Sequence, residues 1–173
     1  MARILTLMII ALTGSQLWAQ VPASPLFPAS PIIEARDCIL QIVAGHKNIT
    51  LLETVPLPEV KPEGPYTLQD YQDSAESFWG FRPDAFLNMY NSLRNEIFIM
   101  ATRAYYDSHE RSVFDSLAHE LVHYLQHRYQ NADFSQGDDS LEFDAIATQT
   151  WFRETYKDHF VGDVFVCPTA AVP

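Results

Sequence analysis

His119-Glu120-Leu121-Val122-His123 is the segment of this chain best equipped for chemistry. On a helix, four residues advance about 6 Å and turn about 400°, so His119 and His123 stand one above the other, about 40° apart. Two imidazoles stacked in that way can grip one Zn²⁺. Glu120 lies about 100° round from His119 and about 60° from His123, beside the metal rather than on it. A carboxylate there can take a proton from water that the metal has made acidic. With only 6 histidines in 173 residues, the pattern arises by chance in about one such chain in a hundred. The bland alternative is a solvated helix face with two incidental histidines. The uncharged flanks Leu117-Ala118 and Tyr124-Leu125 favour a metal site.

Catalytic zinc takes three protein ligands and keeps one position open. The metzincin pattern would need glycine at position 126 and histidine at position 129, where this chain has Gln126 and Tyr129. His127 would sit about 12 Å along the helix from His119, too far to share an ion, and reads as a surface histidine. Glu142, on the following helix, is the preferred third ligand. Asp144 is a lesser candidate, followed by Asp138, Asp139, His159 or no protein ligand at all. Asp139-x-x-Glu142 can also be read as a capping box. The helical stripe Glu142, Ala145, Ile146, Gln149 favours packing against the first helix instead.

These residues need elements to hold them. Ser112 to Asp115 has capping-box spacing, and Phe114, Leu117, Ala118, Leu121 and Leu125 continue at helical intervals to about Asn131. A polar loop, Ala132 to Asp138, leads to a second helix from Asp139 to Tyr156. Upstream, Phe86 to Tyr90 and Glu96 to Met100 read as strands of a hairpin joined by Asn91 to Asn95. Ile97 to Met100 is apolar throughout, so both faces of that strand should be covered. Ile32 to Lys47 reads as a helix, Glu59 to Lys61 as an edge strand among prolines, and Thr67 to Ser77 as a short helix. Trp79 to Pro83 reads as a loop and Phe160 to Cys167 as a last strand. The fold class is α+β.

HELVHYLQ at 119–126, followed by Glu142-Phe-Asp-Ala145-x-x-x-Gln149, resembles the gluzincin branch of zinc metallopeptidases, in particular small minigluzincin-like proteins. The resemblance runs roughly from Leu57 to Tyr156. It implies a zincin-like domain with a hairpin ahead of the active-site helix, one Zn²⁺ per chain on His119, His123 and Glu142, and Glu120 as general base. Many gluzincins carry an aspartate four residues after the ligand glutamate, where this chain has Ile146. The sequence does not place an oxyanion-stabilising group among Tyr105, Tyr106, His109, Tyr124, Tyr156 and His159.

Met1-Ala2-Arg3, the apolar run Ile4 to Leu12 and the small-residue site at Ala19 have the form of a secretory signal peptide, residues 1–19. The run falls short of the ~20 apolar residues of a membrane span. Gln20 to Pro31 holds four prolines and reads as an extended leader, with residues 32–173 as one domain. Cys38 and Cys167 would meet an oxidising compartment, periplasmic or extracellular, and an even count suggests a bridge between them. Asn48-Ile49-Thr50 matches a glycosylation sequon, relevant only in a eukaryotic host.

With Lys+Arg 11 against Asp+Glu 22 and a net charge of −11, nucleic acid and anionic lipid are poor partners. A peptide or protein substrate suits the motif. The expectation is therefore an exported, soluble zinc peptidase or amide hydrolase, with a strand at Ile97 to Met100 flanking the cleft. The alternative is a non-catalytic zinc-binding module on the same scaffold.

Overall fold

The helix and strand signals fold into an α+β arrangement in the computed structural model, which describes residues 25–169. The signal-peptide segment and the first residues of the leader lie outside the described residues. The rest of the leader belongs to the domain rather than serving as a spacer. Phe27 donates its N–H to the Ala101 carbonyl (2.8 Å), Arg103 donates to Pro25 (3.0 Å), and the Phe27 ring meets Tyr106 edge-on. Helix α1, Ala29–His46, starts three residues earlier than Ile32. Pro31 does not prevent this, because a first-turn residue has no intrahelical partner for the N–H that proline lacks.

Strand β1 (Glu59–Pro62) precedes helix α2 (Leu68–Trp79), which Thr67 and Asp70 cap reciprocally and Gly80 ends at φ 77°. Trp79 is thus the last helical residue and not part of a loop. Strands β2 (Met89–Asn91) and β3 (Glu96–Ile99) pair antiparallel, while β1 pairs parallel to β3, giving the order β1-β3-β2. Two asparagines shape the hairpin turn. The Asn91 side chain accepts from the N–H groups of Leu93 and Arg94, and Asn95, at φ 55°, donates to the carbonyls of Pro56 and Leu57.

β3 is covered on both faces, as its composition predicts. Ile97 and Ile99 enter the main core, and Phe98 enters a second cluster with Tyr71, Ala75, Phe86 and Met89. Both of its edges are also paired. It cannot accept a further strand, so the sequence-based placement of β3 beside the cleft is corrected: β2 is the edge that faces it.

Helix α3 (Arg103–Ser108) is too short to leave a periodic signal and is not anticipated in the sequence. α4 (Val113–Gln130) crosses the centre of the domain and α5 (Asp139–Tyr156) returns along it. α4 is buried almost all round, between α1, α5 and the sheet. The C-terminal segment is a small hairpin, β4 (Phe160–Val161) and β5 (Val164–Phe165), rather than one strand, because Gly162 at φ 59° reverses the chain. Cys38 on α1 and Cys167 after β5 form the expected disulfide, with Cα atoms 6.1 Å apart. Among the described residues no helix is long and apolar enough to cross a membrane.

Candidate metal centre

α4 presents three of the site residues, and its ends fix its position. Ser112 Oγ accepts from the Phe114 N–H (3.2 Å), the Asp115 carboxylate accepts from Ser112 (2.9 Å), and Asn131 closes the helix at φ 56°. Leu117, Ala118, Leu121, Val122 and Leu125, all fully buried, lock the helix about its own axis. His119 and His123 then face α5 on one side of it.

α5 brings Glu142 to them. Its N-cap is Asp138, whose carboxylate accepts from the Ser140 N–H (2.9 Å), so Glu142 is free of capping duty. Ala145 is fully buried, and its small side chain lets α5 close on α4. His119 Nε2 and His123 Nε2 lie 3.1 Å apart, and the Glu142 oxygens lie 3.4 Å from the first and 3.2 Å from the second. No other set of three His, Cys, Asp or Glu side chains among the described residues makes such a group. A tetrahedral ion with ligands at 2.0–2.1 Å separates its donors by about 3.3 Å. The spacings between neighbouring donors are of that size, and the three side chains form a group that could hold a divalent metal.

The other sequence candidates have different duties. Asp144 accepts from Lys47 and from Gln126 Nε2 (3.0 Å). His159 turns its Nδ1 to the Val166 carbonyl, and Asp139 is exposed. His127 stays out of the triangle but lines the cavity in front of it, stacked on Phe134. Of the six residues considered for oxyanion stabilisation, none borders that cavity, and Tyr105 alone borders a smaller one that also reaches His119 and Glu120. Tyr106 donates to the Met100 carbonyl and Tyr124 to that of Pro56.

Gln126 is a site residue that sequence reasoning passed over. It is fully buried, its Oε1 lies 2.8 Å from His123 Nδ1, and its Nε2 donates to Leu141 O and Asp144. With Nε2 committed as donor, Oε1 must accept, which puts the His123 proton on Nδ1 and leaves Nε2 with its lone pair toward the triangle. The chain Lys47–Asp144–Gln126–His123, which joins the C-terminal end of α1 to α5 and α4, thus orients the His123 ring. Gln149 hydrogen-bonds the other ligand ring, His119.

Burial, with the His123 ring adding to it, holds the His119 imidazole near pKa 4, so it is neutral and able to ligate. Burial also disfavours charge on His123, but its hydrogen bond to Glu142 and the nearby Glu120 outweigh this and raise its pKa. The His123 hydrogen bond lowers Glu142. Glu120 is 5% exposed, and burial pushes its carboxyl up to about 7, with His123 pulling the other way. Its carboxylate accepts from the backbone N–H of Tyr90, tying that side chain to edge strand β2.

A cavity of about 650 Å³ opens on the triangle, walled by Phe78, Trp79, Met89, Tyr90, Leu93 and Phe134. No protein-family model, curated protein or solved structure matches this chain.

Proposed function

We propose that this chain is a zinc-dependent peptidase of the gluzincin type, acting outside the cytoplasm. The observation that carries the reading is the His119–His123–Glu142 group: the two Nε2 atoms lie 3.1 Å apart, and the Glu142 Oε1 and Oε2 lie 3.4 Å from the first and 3.2 Å from the second, beside a buried carboxylate. Zinc bound there would supply Lewis acidity to water and to a substrate carbonyl. Glu120 has the position of a general base: it is sheltered from solvent, and its elevated pKa suits a group that takes a proton and returns it to a leaving amine. Gln126 holds the His123 ring in the ligating tautomer. The cavity beside the site, walled by apolar side chains, suits an apolar side chain of a peptide substrate. The Cys38–Cys167 disulfide agrees with an oxidising compartment.

Glu120→Gln tests the mechanism. The amide keeps the shape and leaves the ligands untouched but cannot accept a proton. Zinc content should stay at one per chain while hydrolysis of a peptide library falls by about 10²–10⁴-fold. Activity at the wild-type level in that variant refutes the mechanism. A wild type that holds zinc and cleaves no peptide moves the assignment to a non-catalytic zinc module.

A further inference from the structure

A second cavity, of about 350 Å³, also reaches His119 and Glu120. His119, Glu120 and Asn88 border both cavities. The chain from Phe86 to Tyr90 runs past the two in turn, Phe86 and Leu87 at the smaller and Met89 and Tyr90 at the larger. An extended peptide that follows this stretch passes from one cavity to the other, with the scissile bond beside His119 and Glu120, which border both.

The two ends differ in chemistry. The larger cavity is walled by aromatic and aliphatic side chains, among them Trp79, Leu93 and Phe134. The smaller holds Arg111, the one Lys or Arg that borders either cavity among the described residues. Arg111 is exposed, and none of the ion pairs among the described residues uses its guanidinium. Its backbone is pinned just ahead of α4 by an N–H bond to Tyr106 O (3.0 Å). It lies two residues ahead of α4, and His119 is the seventh residue of that helix, about 9 Å along the axis from Val113. A gap of that order holds one or two extended residues at ~3.3 Å each between the guanidinium and the site.

On the basis of the peptidase reading above, we propose that the smaller cavity receives the free C-terminus of the substrate: Arg111 pairs with the terminal carboxylate, and the enzyme removes one or two residues from peptides that place an apolar side chain in the larger cavity. Water adds across the amide, giving a new carboxylate and a free amine, and no other reactant is needed.

The test compares one acetylated hexapeptide, with phenylalanine third from the C-terminus, as free acid and as C-terminal amide, on the full zinc-loaded protein with products read by mass spectrometry. The acid should be cut with kcat/KM about 10- to 100-fold higher, as a lost charged hydrogen-bond pair implies, and should release single residues or dipeptides. Arg111→Ala should bring the acid-to-amide ratio close to one, and Arg111→Lys should keep part of it. Equal turnover of acid and amide, release of longer fragments, or a preference for acid that survives Arg111→Ala overturns the proposal.

A binding measurement separates this from the peptidase reading. Calorimetric titration of an acetylated dipeptide, as acid and as amide, into zinc-loaded Glu120→Gln protein should favour the acid at least tenfold, and only while Arg111 is present. Arg111-dependent discrimination in a protein that cleaves nothing removes the peptidase and keeps the carboxylate site. Equal binding of the two removes the site.

Discussion

Replacing Gln126 with methionine tests how the site is held together. Methionine matches glutamine in length but offers His123 Nδ1 no strong acceptor, and Leu141 O and Asp144 lose their donor. Gln126 is fully buried, so water cannot easily take its place. Leaving the His123 N–H unmet costs about 1–3 kcal/mol in the ordered site, and the ring is then free to take the tautomer that closes Nε2 to the metal. Partners behind a metal ligand are typically worth 10–100-fold in affinity, or about 1.4–2.7 kcal/mol. Zinc affinity of Gln126→Met should fall within that range when measured by competition with a chromophoric chelator near neutral pH. Urea unfolding of the metal-free protein gives the separate cost to the fold. Gln126→Glu keeps an acceptor for His123 but sets a second carboxylate against Asp144, so it should lose stability more than affinity. Affinity within twofold of wild type for Gln126→Met, in protein that folds, refutes the orienting role.

Glu142→Ala should abolish stoichiometric zinc binding, whereas Asp144→Ala should lower affinity only modestly through Gln126; metal analysis after dialysis reads both, and the reverse order would exchange their roles. Asp115 is buried with one oxygen lacking a hydrogen-bond partner among the described residues, and burial raises its pKa to about 6 from 3.8. Folded protein therefore binds this proton more tightly than unfolded protein, so the stability of wild type relative to Asp115→Asn should rise as pH falls from about 6 to 4, by up to about 3 kcal/mol. A difference that stays flat or runs the other way in urea titrations across that range contradicts it. Reducing Cys38–Cys167, which closes a separation of 129 residues, should destabilise the fold by up to about 4–5 kcal/mol. An unchanged melting temperature under reductant refutes that figure.

The parts of this molecule that can be read from its sequence are those encoded locally. α4 and α5 are legible because apolar residues recur at helical intervals between recognisable caps, and β3 because four apolar residues in a row need cover on both faces. Glu142 is legible by its place on the next helix and by its stripe. The parallel pairing of β1 with β3 is not, since no local signal joins residues 59–62 to 96–99, and that pairing makes β2 the free edge. α3 has six residues, too few for a period. Lys47, Gln126 and Asp144 meet only when α1, α4 and α5 are packed. Asp144 therefore reads in sequence as a spare ligand, although it is a support for Gln126. Arg111 carries no motif and stands out only beside a cavity.

The Cys38–Cys167 bond has a topological consequence. It makes a covalent ring of everything between those residues, including His119, His123 and Glu142. A single cut within the ring, by a neighbouring protease or by the protein itself, opens a gap but releases no fragment. The exposed connection around Asn131 to Asp138 is where such a cut matters most, because it is the shortest path between the histidines and Glu142. After it, the ligands remain tethered the long way round, and the packed helices hold them at a high effective concentration. Nicked protein should migrate as one band until reductant is added and as two afterwards. Only the second treatment should let the metal go.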